Sequence, residues 1–149
     1  MFARPLTSLI AAIALAVLVV AGAGPVAPAQ AETIEGPGYA IELTAPTAPR
    51  AGQATRARVT IRPRAGWKLN QEYPFKVELN AAPALGVTAG VLPRGAARVF
   101  TEGEISFDVV VTPRSKGTHR LEGRIKFATC TDTTCDPQKA SFVLPIVVP

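Results

Sequence analysis

The chain has 149 residues, with 16 Lys and Arg against 11 Asp and Glu, one His, two Cys and one Met. That length holds one domain with one modest core. A lone histidine and an initiator as the only methionine exclude the clustered ligands of copper handling, no glycine-rich phosphate loop is present, and two cysteines permit one intrachain disulfide.

The first element is an export signal. Arg4 precedes a charge-free apolar run from Leu9 to Gly24, and small residues and prolines lead to Ala29-Gln30-Ala31, the A-x-A form of a signal-peptidase site. Residues 1–31 are read as the signal and 32–149 as one mature domain. An uncleaved anchor is the competing reading, since the run approaches the length a bilayer needs, but Pro25, Pro28 and the small residues favour cleavage. No second apolar span follows, so no stable membrane insertion is expected after cleavage, and the location is periplasmic or secreted. Arg4 is the one charged residue of the signal, so the positive balance persists; in an exported chain it implies solubility and some attraction to acidic surfaces, not nucleic acid.

Alternation with period two then dominates. "YAIELT" opens the series, followed by "QATRARVTIRP", in which Ala57, Val59 and Ile61 alternate with Arg56, Arg58, Thr60 and Arg62. Phe75, Val77 and Leu79 alternate with Lys76 and Glu78. Ile105, Phe107, Val109 and Val111 form another run, and Leu121, Ile125 and Phe127 alternate with Arg120, Glu122, Arg124 and Lys126. "ASFVLPIVV" ends the chain, and Pro145 inside it lacks a ladder donor, which predicts an edge or kinked strand. Turn signals at Pro49 to Gly52, Pro63 to Gly66, Pro93 to Gly95 and Thr112 to Gly117 separate these runs, and no segment has sustained helical spacing. About seven short strands predict an all-β, immunoglobulin-like antiparallel sandwich.

Cys130 and Cys135 flank Thr131-Asp132-Thr133-Thr134, so the last two strands are expected to present them to each other at the mouth of a four-residue hairpin loop. Facing residues lie about 4.5 to 5.5 Å apart at Cα, within disulfide range, and outside the cytoplasm such a pair is normally oxidised. So short a loop gives about 2 kcal/mol by chain entropy, against about 4 for a bridge spanning some sixty residues. That weakens the case for a staple, yet a clip can also fix hairpin register, and the residues alone leave structural and redox readings level.

The stretch "KFATCTDTTCDPQKASFVLPI" resembles the end of the N-terminal periplasmic domain of DsbD-type thiol:disulfide interchange proteins, and "PRAGWKLNQEYPFKVEL" is similar to the segment of those domains where a Gly-aromatic pair begins a strand. The resemblance implies an immunoglobulin-like sandwich in which Cys130 and Cys135 form the redox pair that exchanges electrons with exported thiol/disulfide proteins. It also implies an aromatic cap, for which "LPRGAARVFTEGE" supplies Phe100 as the shield. In that family a membrane domain follows and supplies electrons; with the sequence ending at Pro149, any electron source is expected to be a separate protein such as a membrane reductase, or there is none. No cofactor is implied.

Other residues complete the expectations. Asp132 and Asp136 beside the cysteines disfavour thiolate, making a disulfide better suited to being attacked than its thiols to attacking; the competing reading is ordinary turn residues. Tyr73, held extended by Pro74, is a candidate partner contact. Trp67 is expected in the core and His119 at the surface, too far from Cys130 in sequence for a Cys-His relay. Two Cys with His119 and an Asp could supply zinc ligands, but the spacing matches no zinc motif, so no metal is expected. The arginines from Arg56 to Arg64 read as a solvated face. The leading expectation is an exported thiol:disulfide interchange domain, and the rival is a non-catalytic cell-envelope binding or structural module with a hairpin clip.

Overall fold

The computed structural model describes residues 30–149. The expected export signal lies outside those residues except for Gln30 and Ala31, and Ala31 already opens a strand. The elements are β1 (Ala31–Gly36), β2 (Tyr39–Thr44), β3 (Thr55–Pro63), β4 (Lys68–Leu69), β5 (Lys76–Ala81), β6 (Leu85–Val87), β7 (Val91–Pro93), β8 (Val99–Phe100), β9 (Ile105–Pro113), β10 (Gly117–Cys130) and β11 (Cys135–Val148), with a 3-10 turn at Arg94–Ala96. The long strands fall on the alternating runs. The number exceeds seven because β4, β6, β7 and β8 are two or three residues long and carry no period, while β1 is exposed along most of its length.

Two antiparallel sheets pack face to face. One runs β1-β2-β3-β9-β6, with β8 pairing the start of β9; the other runs β11-β10-β5-β7, with β4 pairing the end of β10. This is the immunoglobulin-like antiparallel sandwich expected from the sequence. β11 lies at the edge of its sheet, as Pro145 predicts.

Alternation explains the core. Ala57, Val59 and Ile61 of β3 are fully buried, and Leu121, Ile125, Leu144 and Ile146 from β10 and β11 meet them with Phe107 and Phe127. Each of these side chains larger than alanine contributes about 1.5 to 3 kcal/mol on leaving water. The Tyr39 ring meets Phe127 edge-on with centroids 4.8 Å apart, and burial pushes its phenol pKa up. Gly123 of β10 faces Phe142 of β11, and a Cβ on Gly123 would run into that ring.

The arginine face is solvated, and of Arg56, Arg58, Arg62 and Arg64 all but Arg56 are ion-paired among the described residues. Arg58 and Arg98 each donate to the Asp108 carboxylate at 2.9 Å. Arg62 bridges Glu42 at 2.8 Å and Glu104 at 3.1 Å, and Arg64 reaches Glu35 at 2.6 Å. Burial alone would raise the Asp108 carboxyl pKa, but the two guanidinium hydrogen bonds outweigh it and hold the group below the usual carboxylate range.

Trp67 departs from its expected place. It is half-buried outside the core cluster, its indole lying over Gly38 at the β1–β2 turn. Gly38 has φ +76°, and a Cβ there would overlap the indole, so the turn needs glycine for both reasons.

Candidate functional site: the disulfide at the hairpin tip

The 14-residue strands β10 and β11 pair without interruption from Gly117 opposite Val148 to Cys130 opposite Cys135, so the register of the hairpin brings the cysteines face to face. Thr131 closes the turn: its N–H donates to the Thr134 carbonyl at 2.8 Å, and its hydroxyl accepts from the N–H groups of Thr133 and Thr134 at 3.3 and 3.2 Å. The cysteines are bonded, with an S–S distance of 2.01 Å and Cα atoms 4.0 Å apart. They differ in access. Cys130 is 4% exposed, whereas Cys135 is an exposed residue.

Alternation along β10 turns Leu121, Ile125 and Phe127 inward, placing Lys126, Ala128 and Cys130 on the outer face of the sheet. Ala128 and Cys130 are buried yet stand outside the core cluster. The segment from Lys68 to Tyr73 docks on this end of the strand. Lys68 faces Cys130 and Leu69 faces Thr129. The Leu69 N–H donates to the Glu102 carbonyl at 2.8 Å and the Asn70 N–H to the Ala128 carbonyl at 2.9 Å.

Asn70 organises this segment and was not singled out from the sequence. Its Oδ1 accepts from the N–H groups of Glu72 at 2.8 Å and Tyr73 at 3.2 Å, an Asx-type turn. With the oxygen so engaged, the amide nitrogen is left to point at sulfur, and Nδ2 donates to Cys135 Sγ at 3.8 Å. The signal was available in "NQEYP", an Asn starting a turn before a proline, but its aim at Cys135 depends on tertiary docking. Lys68, Asn70, Gln71, Glu72 and Glu102 line a shallow groove of about 420 Å³ that opens on both cysteines.

The remaining candidates are spread out. Tyr73 is half-buried beside the groove, with the Lys126 ammonium 5.8 Å from its ring centroid. Phe100, the expected shield, is not among the residues lining the groove at the cysteines; its ring packs on Phe75 at 5.3 Å, with the Arg94 guanidinium 4.4 Å from its centroid. The segment holding Phe100 still reaches the groove, through Glu102. Asp132 is exposed in the loop and Asp136 is half-buried opposite Thr129; in the bonded state neither cysteine titrates. His119 corrects its expectation of exposure, being 8% exposed and donating from Nε2 to the Ser115 carbonyl at 2.7 Å. It sits at the far end of β10 from Cys130, so these residues assemble neither a Cys-His relay nor a zinc set.

No protein-family model matches this chain, and no curated protein matches it. Among solved structures, the GAE domain of GGA2p from Saccharomyces cerevisiae matches with a TM-score of 0.50 at 11% identity, over 79% of this chain and all of that domain. The likeness is one of fold. The yeast GGA1 GAE domain follows at TM-score 0.44, 10% identity, 78% of this chain and 99% of that one. AggA, the major subunit of aggregative adherence fimbriae type I from Escherichia coli, gives 0.38 and 9%, over 80% and 96%. None of the three is a DsbD-type protein, so the resemblance read from the cysteine motif gains nothing from them.

Chemically, the arrangement distinguishes the two cysteines. As residues, Cys135 is exposed and Cys130 is buried, although both border the groove. Attack at Cys135 Sγ would form a mixed disulfide there, break the S–S bond and leave the electron pair on Cys130 as thiolate, across from Lys68.

Proposed function

We propose that this chain is an exported thiol:disulfide interchange domain in which Cys135 is the exchange residue and Cys130 the resolving one. A partner thiolate attacks Cys135, and a second partner thiol then attacks the mixed disulfide, so that the Cys130–Cys135 pair is left as a dithiol and the partner's two thiols as a disulfide. In the reverse direction Cys135, with the Asn70 amide beside its sulfur, attacks a partner disulfide and Cys130 resolves the product. The observation that carries this reading is the difference in access, an exposed Cys135 bonded to a Cys130 that is 4% exposed. The length of the hairpin supports it, because a register set by 14-residue strands has little need of a clip at the tip.

The test is the equilibrium potential of the pair in graded thiol buffers with acid trapping. The expected result is a value more oxidising than about −300 mV, reached rapidly. A value well below that, reached slowly, would indicate a structural bond and favour a non-catalytic cell-envelope module.

A further inference from the structure

Register across the second sheet sets three lysines side by side: Lys76 of β5 and Lys139 of β11 both face Lys126 of β10. Arg124 adjoins them on the same face, opposite Glu78 and Ser141. Like charges at directly facing positions are destabilising. Only Lys76 among these four cations has a carboxylate within ion-pair distance among the described residues, Glu78 at 2.6 Å. Two of the three outer arginines of β3 are different: Arg58 is held by Asp108 of β9, and Arg62 by Glu42 of β2 and by Glu104. The four cations, Glu78 and Ser141 line a shallow groove of about 370 Å³. Lys126 lies four residues before Cys130 on the same outer face, about 13 Å along the strand, with Tyr73 beside it.

We propose that this basic groove docks an acidic segment of the partner polypeptide whose thiol exchanges at Cys135, an inference that rests on the interchange reading. An extended chain advances about 3.4 Å per residue, so a thiol followed three to five positions later by carboxylates places sulfur at Cys135 and acids among Lys76, Lys126 and Lys139. Three adjacent strands span about 10 Å, wide enough to receive one extended peptide. Glu78 and Glu122 interrupt the positive field of this face, which suits a single chain better than a continuous anionic lipid surface.

Binding is measured with the full chain and a labelled peptide carrying four glutamates three residues after a serine, the serine replacing the thiol so that no exchange occurs. The glutamate peptide is expected to bind at least about tenfold more tightly than its glutamine counterpart at low salt. That difference should collapse at about 0.5 M NaCl and in a Lys126→Gln, Lys139→Gln variant. Equal binding of both peptides, glutamate binding untouched by the variant, or binding to phosphatidylglycerol vesicles without peptide binding would overturn the docking proposal. The same peptides with cysteine in place of serine separate the two ideas. Reduction of the disulfide at equal rates by both supports interchange while contradicting docking, and reduction by neither contradicts interchange while the serine peptides still decide the groove.

Discussion

Asn70 shows how one side chain ties local turn chemistry to the reactive sulfur. Replacing it with alanine removes the donor to Cys135 and the acceptor of the Lys68–Tyr73 turn, whereas Asn70→Asp keeps the acceptor and sets a carboxylate against the sulfur. Alkylation of the reduced protein is expected to slow about fivefold in Asn70→Ala, corresponding to about 1 kcal/mol for a long hydrogen bond to a thiolate. Asn70→Asp is expected to slow it further and move the pH profile upward; unchanged profiles in both would remove Asn70 from the site. Asp108 makes a second residue-scale prediction. Its folded pKa lies below its unfolded one, so its stabilising contribution is present above the unfolded carboxyl pKa of about 3.9 and is lost as pH falls through the folded value. Asp108→Asn should cost about 1 kcal/mol at neutral pH, the guanidinium partners being half exposed, and should flatten that part of the acid limb in urea titrations. Single residues were the least legible feature of the sequence. Trp67 carries enough apolar area for a core, and only the approach of Gly38 explains why it stays at a turn; His119 is buried because the carbonyl of Ser115 satisfies its ring.

The β10–β11 hairpin was the most legible element, since alternation, turn residues and cysteine spacing all pointed to the same register. Its long ladder predicts that the disulfide is dispensable for folding. Cys130→Ala with Cys135→Ala should lower stability by no more than about 2 kcal/mol and preserve the circular dichroism spectrum; global unfolding would make the bond structural. Gly123→Ala tests the packing inside the same hairpin. The added methyl must displace the Phe142 ring, and a loss of about 1 to 3 kcal/mol is expected in denaturant titrations. Pro137 and Pro145 remove donors from the edge strand, and Lys139 adds charge, which together discourage edge-to-edge pairing. The short strands β4, β7 and β8 could not be read in advance because two or three residues have no period and their pairing depends on partners distant in sequence.

At the scale of the molecule, the sandwich follows from alternation that continues through its long strands, and the likeness to a GAE domain at 11% identity shows how little particular sequence that architecture requires. What the sequence hid was assembly across strands. Lys76 is far in sequence from the Lys126–Lys139 pair of the hairpin and joins it only through the β5–β10 register, and Arg58 and Arg62 gain carboxylate partners from other segments of the chain. The groove at the disulfide likewise joins the segments around Lys68, Glu102 and Cys130. The proposed exchange depends most on an unequal pair of cysteines. It is tested most directly by comparing the rates at which reduced Cys130→Ala and Cys135→Ala chains form a mixed disulfide with oxidised glutathione. The prediction is that the chain retaining Cys135 reacts at least about tenfold faster, as access to the attacking sulfur requires; equal rates, a faster Cys130, or no reaction from either would contradict it.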